Sequence, residues 1–200
     1  LLCFIFMPVF GPIIYIIFGW GLKNRTKKKY IEKTKASFAF STNKKEYPAK
    51  DEYRFLTDYF KNTSKSILTE NNDIKVYIDA EDKYNDLLED IKNARETINL
   101  LYFIIHNDKI GREILTLLSK KAEEGVKVRF LYDGFGSFLT PNKAFYNLKK
   151  SKNAKVAAFL PINIFSYSLI NHRNHRKIAI IDGEIAYLGG MNIGDEYMGQ

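Results

Sequence analysis

The residues whose types and spacing could carry out chemistry lie near the end of the 200-residue chain. His175, Lys177 and Asp182 occur in the run HRKIAIID, and Gly190 and Asn192 follow in GGMN. Their spacing is H-x-K-x4-D followed by G-G-x-N. An imidazole, an ammonium group and an amide at this spacing could surround one phosphate group, because each can interact with its charged oxygens.

A β-strand would place His175 and Lys177 side by side, because residues two apart project from the same face. A neutral imidazole can attack phosphorus and form a covalent phosphohistidine, which divides one difficult displacement into two easier ones. Lys177 would neutralise the non-bridging phosphate oxygens, and Asn192 would donate hydrogen bonds to them. Gly189 and Gly190 would let the backbone approach the ligand closely.

Each of these residues taken alone has an ordinary explanation, and only the shared spacing points to chemistry. An isolated histidine near a strand end is usually a satisfied surface or core group, and a lone lysine is a solvated charge. Asp182 fits a structural organiser of the turn better than a proton carrier. His106 and His172 lack such partners, and no carboxylate spacing supports a zinc site formed by these two with His175, so no metal is expected.

The net charge of +8 is concentrated in one place. Seven basic residues against Glu32 between Lys23 and Lys35 hold +6 of it, which leaves about +2 for the rest of the chain. A nucleic-acid groove would distribute its basic residues over the folded part. A cluster beside an apolar segment favours anionic lipid headgroups as the partner, and argues against nucleic acid.

The first twenty residues, LLCFIFMPVFGPIIYIIFGW, carry no charge and are long enough for a membrane span. We predict a transmembrane helix over residues 1–22, with the basic cluster holding the following domain on the cytoplasmic side of the cell membrane. A buried core helix is the alternative. A signal peptide fits less well, because its charges should precede the apolar run. The lone Cys3 excludes an internal disulfide.

Residues 23–72 are predicted to be a basic linker followed by an amphipathic helix that begins near Asp51. From residue 73 onward, short apolar runs alternate with helical patterns. Asp182-Gly183 separates two of the runs and is a hairpin signal. Helices are predicted after Asp79 or Asp82, over 110–122 and after Pro141, and strands over 74–78, 100–105, 126–131, 155–160, 178–181 and 184–188.

The alternation predicts an α/β fold with a mixed, largely parallel sheet flanked by helices. The uninterrupted apolar run at 100–105 predicts a strand buried on both faces. A further apolar run, PINIFSYSLI at 161–170, favours ordinary core packing, with contact to acyl chains or the membrane surface as the alternative.

The motif run HRKIAIID with GGMNIGDEY resembles the HKD motif of the phospholipase D superfamily. The longer stretch RNHRKIAIIDGEIAYLGGMNIGDEYMG resembles bacterial cardiolipin synthases, and YFIIHNDKIGREILTLLSKKAEEGVKVRFLYDGFGS agrees with them. The resemblance covers nearly the whole chain. It implies a phospholipase D-like lobe over residues 73–200.

The resemblance also implies a membrane-bound phosphatidyltransferase that needs no metal or other cofactor. A phosphatidyl group would pass from one phosphatidylglycerol to histidine and then to a second, giving cardiolipin and glycerol. His175, Lys177 and Asp182 match the motif residues assigned to catalysis. Lys177, Gly190 and Asn192 match the positions that bind the substrate phosphate.

Relatives usually carry a second HKD motif, whereas this sequence contains one. We therefore expect a truncated first lobe that is inactive until a second lobe completes the site. Completion by a homodimer partner is the alternative. The rival functions are a phospholipase D-type phosphodiesterase or nuclease, and a non-catalytic, membrane-anchored remnant.

Overall fold

The computed structural model of the chain describes residues 9–13, 47–48, 50–64, 66–162 and 173–199. Its contacts divide the chain into two compact units, residues 22–76 in one and residues 1–21 with 77–200 in the other. In the first unit, a 3-10 turn at Asp51–Tyr53 leads into helix α1, Arg54–Ser64. This confirms the helix predicted near Asp51, and its apolar side chains are exposed or half-exposed.

The second unit is built on a five-stranded sheet in the order β3-β2-β1-β4-β5. The strands are β1, Thr97–Tyr102; β2, Lys127–Asp133; β3, Ala154–Phe159; β4, Lys177–Ile181; and β5, Ile185–Gly189. β1 pairs with β2, and β2 with β3, in parallel. β4 runs antiparallel to both β1 and β5. The sheet is therefore mixed, as predicted. It is not largely parallel, because the hairpin strand β4 also pairs antiparallel with β1, which makes two antiparallel pairings beside two parallel ones.

Three α-helices accompany this sheet: α2, Ala80–Asn93; α3, Lys109–Glu123; and α4, Tyr146–Lys150, which follows a 3-10 turn at Asn142–Phe145. Side-chain caps define where the longer two begin. Asp79 accepts the N–H of Asp82 at the start of α2, and Asp108 accepts the N–H of Gly111 at the start of α3. Gly125, with φ of +103°, follows the last turn of α3.

The core lies between these helices and one face of the sheet. Burial alternates along β1, where Ile98, Leu100 and Tyr102 are buried and the residues between them are half-exposed. The prediction that this strand is buried on both faces is therefore wrong. Its other face lies in a groove of about 410 Å³, whose side chains include Leu101, Leu131, Ile178 and Ile180. The unbroken apolar run misled because its half-exposed members line this groove instead of a second helical layer.

The strand predicted over 74–78 is also wrong, because the structure assigns no strand there. Ile74, Val76 and Ile78 alternate as a strand would and are 80%, 79% and 92% exposed. β-branched residues favour extended backbone, but a strand forms only when a neighbour accepts and donates its backbone hydrogen bonds. The remaining predicted strands are confirmed, with shifts of one to three residues at their ends.

The predicted transmembrane helix over residues 1–22 lies outside the described residues, apart from a short helical stretch at 10–13. Among the residues that the structure does describe, no helix combines the length and the apolar character needed to cross a bilayer. Most of the apolar run at 161–170 also lies outside the described part of the chain.

Candidate active site

The sheet topology determines where His175 and Lys177 lie. β1 and β2 are parallel, and β4 is antiparallel to β1, so β4 begins at the edge where β1 and β2 end. Loops that leave the carboxyl ends of parallel strands also gather at this edge. His175 and Lys177 therefore stand at the end of the sheet where an α/β protein most often binds its ligand.

His175 and Lys177 meet at the ring of Phe103, directly after β1. The imidazole stacks on the ring at 3.8 Å between centroids and 20° between planes. The Lys177 ammonium nitrogen lies 5.3 Å from the same ring and donates a 2.6 Å hydrogen bond to the His175 carbonyl. Phe103 thus provides an apolar wall that orients the imidazole and lies beside the cation.

The two side chains differ in exposure. His175 is exposed, so a ligand can reach its ring nitrogens, while Lys177 is partly buried. Burial lowers the pKa of Lys177, because removal from water disfavours the charged form. A cation held in such partly dry surroundings attracts a phosphate oxygen more strongly than a fully hydrated lysine would.

Gly189 and Gly190 leave open space beside this pair. Gly189 is the strand partner of Lys177, and Gly190 follows it at the same end of the hairpin. A Cβ built on either glycine would have no other atom within 4 Å. No close packing within the described chain therefore requires these glycines, and the space is free for a ligand.

Asn192 is buried and already makes hydrogen bonds within the protein. Its side-chain oxygen accepts the N–H of Ile104 at 3.1 Å, and its amide nitrogen donates to the Tyr197 hydroxyl at 2.7 Å. The Tyr84 hydroxyl donates to its backbone carbonyl. These contacts attach the GGMN segment to the chain that follows β1. Donation by Asn192 to a phosphate would use the second hydrogen of its amide.

Asp182 lies away from His175 and Lys177, at the far end of β4. It lies five positions after Lys177, a distance of about 16 Å along a strand. Its carboxylate accepts the backbone N–H groups of Thr97, Arg95 and Glu96, each at 2.8 Å. These bonds, that from Thr97 first, hold the pKa of Asp182 below its ordinary value.

A buried ion pair holds the segment before His175. Asp133, at the end of β2, is 1% exposed, and its carboxylate lies 3.6 Å from the Arg173 guanidinium. The same carboxylate accepts the N–H of Asn174 at 3.2 Å. Arg173 also donates to the Leu160 carbonyl at 2.6 Å. These contacts fix the backbone immediately ahead of His175.

Of the other two histidines, the structure describes only His106, which contacts an acidic residue. His106 lies 3.5 Å from a Glu196 carboxylate oxygen and is half-buried. His172 lies outside the described residues. Across the part of the chain that the structure describes, no three histidine, cysteine or acidic side chains come together as metal ligands.

The charge around this edge is more polarised than the chain total indicates. The 48 residues from 134 to 181 contain eight lysines and arginines and no acidic residue. The rest of the chain beyond residues 23–35 is net acidic as a result. The net charge of about +2 for the chain outside residues 23–35 does not reveal this polarity. It combines the acid-free stretch with the acidic residues of α2 and its neighbours.

Comparison with known proteins identifies the family. Residues 87–200 match the family described as "Cardiolipin synthase, PLD-like domain", which is more than half of the chain. The chain belongs to this family. The predicted resemblance to cardiolipin synthases is thereby confirmed.

Individual relatives agree with this family. The cardiolipin synthase of Listeria monocytogenes serotype 4a (strain HCC23) is 37% identical over 212 residues, which cover 100% of this chain and 44% of the relative. That of Staphylococcus aureus (strain Mu50) is 37% identical and is covered to 43%. The chain thus spans less than half the length of these cardiolipin synthases.

Among solved structures, NucT from Helicobacter pylori aligns with a TM-score of 0.45 and 26% identity, over 59% of this chain and 71% of that one. Nuc from Salmonella typhimurium, a phospholipase D family member, aligns with a TM-score of 0.40 and 16% identity, over 56% and 66%.

Three residues that shape this site in a cardiolipin synthase-like domain escaped the sequence reasoning. Phe103 lies in the apolar run that was predicted as a strand buried on both faces, and Asp133 and Arg173 were not among the predicted site residues. Asp133 and Arg173 are 40 residues apart in the sequence, so no local pattern joins them. The available signals were an acidic residue ending an apolar strand and a basic residue two before the motif histidine.

Proposed function

We propose that this chain supplies one half of the active site of a phosphatidyltransferase that converts two phosphatidylglycerols to cardiolipin and glycerol. The observation that carries the proposal is the His175–Lys177 pair on Phe103, with open space at Gly189 and Gly190, in a domain of the cardiolipin synthase family. The pair provides a nucleophile and a cation at one point, which phosphoryl transfer requires.

In the first step, an imidazole nitrogen of His175 attacks the phosphorus of phosphatidylglycerol. The P–N bond forms while the P–O bond to the headgroup glycerol breaks, and the glycerol oxygen takes a proton from a general acid. In the second step, the terminal hydroxyl of another phosphatidylglycerol attacks the phosphorus and returns a proton to that group. The P–N bond breaks, which releases cardiolipin and free His175.

Lys177 stabilises both steps by neutralising the non-bridging oxygens, on which negative charge increases during the displacement. Gly190 and the second amide hydrogen of Asn192 lie at the same edge of the sheet and contact the phosphate. Asp182 acts on the reaction only through the position of β4, since its carboxylate is bound to three backbone amides.

The general acid comes from a second histidine-lysine pair, because one imidazole cannot serve at once as nucleophile and as proton donor. A second lobe or a second copy of the chain supplies it. A single copy of the 200-residue chain is therefore inactive. The protein is held at the cell membrane by a span over residues 1–22, with the domain on the cytoplasmic side and the basic residues after the span on anionic headgroups.

The experiment is to reconstitute the protein of full natural length in phosphatidylglycerol vesicles and to measure glycerol release together with cardiolipin formation. We expect equal amounts of the two products, and no products from His175→Ala. The matched control is Lys152→Ala, a change to an exposed cation elsewhere in the acid-free stretch.

Two results would contradict the proposal. Cleavage of DNA without lipid turnover would assign the pair to a nuclease. Full transferase activity of the dilute 200-residue chain, with no second pair present, would show that one imidazole suffices.

A further inference from the structure

The loop that follows β2 exposes apolar side chains beside the candidate active site. We call residues 134–141 the β2 loop. Phe138 and Leu139 at its tip are 61% and 70% exposed, and Phe135 is 41% exposed. The rings of Phe135 and Phe138 lie 6.2 Å apart and form one apolar patch with Leu139 at its tip. Clustered exposed apolar side chains mark a surface that binds another apolar phase.

The β2 loop is held firmly by buried polar groups. Asp133 accepts the N–H groups of Phe135 and Gly136 at 2.9 and 3.1 Å. The buried Ser137 hydroxyl donates to the Phe103 carbonyl at 3.2 Å and accepts the Ile105 N–H at 3.1 Å. These bonds hold the base of the loop in one position. The exposure of Phe138 at the tip is therefore a feature of an ordered loop.

The same contacts connect the β2 loop to His175. Ser137 bonds to the backbone of Phe103, whose ring stacks on the imidazole. On the other side, the Arg173 guanidinium, two residues before His175, lies 5.4 Å from the centre of the Phe135 ring. The β2 loop is therefore connected to the histidine by two short series of contacts, one through Phe103 and one through Phe135 and Arg173.

The charge beside the loop fits an anionic surface. Lys143 and Arg176 are exposed. Lys143 follows the β2 loop by two residues, and Arg176 directly precedes β4. Both belong to the acid-free stretch from 134 to 181. Each basic residue near an anionic bilayer adds to the electrostatic attraction. Leu139, the most exposed apolar residue of the tip, cannot stack on a base, so acyl chains suit the tip better than single-stranded nucleic acid does.

We propose that the β2 loop docks on an anionic bilayer, with Phe138 and Leu139 inserted at the boundary between headgroups and acyl chains. Arg176 and Lys143 contact the headgroups. This docking is independent of the predicted span over residues 1–22. That it presents a phospholipid to His175 rests on the proposed function.

The test measures depth in the bilayer at single positions of the full 200-residue chain. Trp20 is the one tryptophan in the sequence, so Trp20→Phe gives a silent background. Into it we introduce Phe138→Trp or, as the matched control, Ile185→Trp. Ile185 is also exposed and apolar, at 43%, but lies at the opposite edge of the sheet. Vesicles contain phosphatidylglycerol and lipids brominated on their acyl chains.

We expect bromine to quench the tryptophan at 138 several-fold more strongly than the tryptophan at 185. Replacing phosphatidylglycerol by phosphatidylcholine should reduce this quenching. In the Phe138→Trp chain, Arg176→Gln should reduce it too, whereas Lys152→Gln, which changes an exposed lysine at the other edge, should not.

Three outcomes would overturn the docking. Equal quenching at both positions would show no preferred face. Blue-shifted emission at 138 that brominated lipid does not quench would show that protein covers the loop. A response to single-stranded DNA, with none to vesicles, would assign the surface to nucleic acid.

The quenching needs no turnover, so its failure is separable from failure of the proposed reaction. In the full-length protein, Phe138→Ser with Leu139→Ser should raise the KM for vesicle phosphatidylglycerol several-fold. It should leave turnover of a water-soluble, short-chain phosphatidylglycerol unchanged. Equal loss on both substrates would show that the loop supports the fold of the site and not bilayer docking.

Discussion

The two ends of β4 carry parts of one motif and are built in opposite ways. At the end of the strand, the Asp182 carboxylate is fully occupied by three backbone amides. At its start, the His175 ring is exposed, and open space adjoins Gly189, the strand partner of Lys177. The end where three amides hold a carboxylate stabilises the strand, and the end with an exposed imidazole is the one that we propose for chemistry.

Removal of the His175 imidazole is the strongest test of the difference between the two ends of β4. In the full-length protein, we expect His175→Ala to lower kcat by more than about a thousandfold, because the nucleophile is lost. The free energy of unfolding should change by no more than about 1 kcal/mol, the value of one exposed aromatic stack. Turnover measurements check the expected fall in kcat, and chemical denaturation checks the change in the free energy of unfolding. A wild-type rate would place the chemistry elsewhere.

Loss of the neighbouring cation should have the next largest effect. We expect Lys177→Met to lower kcat/KM by about a hundredfold to a thousandfold, with Lys152→Met as the neutral control. Since burial lowers the pKa of Lys177, the wild-type rate should fall with rising pH earlier than it would with an ordinary lysine.

Lys177→Arg tests the same prediction from the other side. Arginine keeps its charge at every accessible pH, so the alkaline fall in rate should disappear or move upward in this variant. An unchanged alkaline limb would show that another group titrates there.

At the opposite end of β4, the expected effect is on stability. Asp182→Ala should lower the free energy of unfolding by about 2 to 3 kcal/mol, because three amides lose an ionised acceptor and the backbone has φ of +51°. Asp182→Asn should cost less, since asparagine tolerates this backbone and keeps one acceptor. Denaturant unfolding gives the values. Hydrogen exchange at Arg95, Glu96 and Thr97 should accelerate in the alanine variant.

The pH dependence of the Asp182 contribution has a definite sign. The folded-state pKa lies below the unfolded value, so the contribution is complete above the ordinary carboxyl pKa and is lost as the pH falls through the folded pKa. The difference in stability between wild type and Asp182→Ala should therefore shrink in acid. A constant difference would mean that the charge of Asp182 is not what the amides require.

Lys83 is a buried lysine outside the candidate site, so it tests the effect of burial on a lysine without any effect on the reaction. Lys83 on α2 is 8% exposed, lies 3.4 Å from the Tyr102 hydroxyl, and has a pKa lowered to about 8 by burial. The unfolded chain holds the proton up to about pH 10.5, so wild-type stability should rise between about pH 8 and 10.5. Lys83→Met should remove this rise and add about 1 to 2 kcal/mol at neutral pH. An identical rise in the variant would contradict the assignment.

Local signals in the sequence predicted most of the fold. The Asp182-Gly183 turn predicted the β4–β5 hairpin. The start of α2 was predicted at Asp79 or Asp82, and Asp79 is the cap. Each of these signals acts within a few residues. The prediction of a strand at 74–78 was wrong because strand formation depends on a neighbouring strand and not on β-branched residues alone. The prediction that β1 is buried on both faces was wrong because an apolar run does not reveal which of its faces is covered.

The candidate site was predictable only in part. The spacing predicted that His175 and Lys177 lie together. They do, but His175 precedes β4, and both side chains lie beside the Phe103 ring. The spacing could not show that Asn192 is bonded to Ile104, or that Asp133 meets Arg173, because these contacts join distant parts of the chain. Whether Asn192 donates to a phosphate stays a prediction.

The antiparallel pairing of β4 with β1 has a consequence for biosynthesis. Ile98 pairs with Ile181, so the β1–β4 pairing joins residues more than eighty positions apart in the sequence. The elements β1, α3 and β2, by contrast, follow one another directly along the chain. Contacts of such long sequence separation form late, because loop closure costs entropy before any pairing repays it. In a growing chain, we therefore expect the parallel strands to pair first and His175, the proposed nucleophile, to reach the Phe103 ring as one of the last steps of folding.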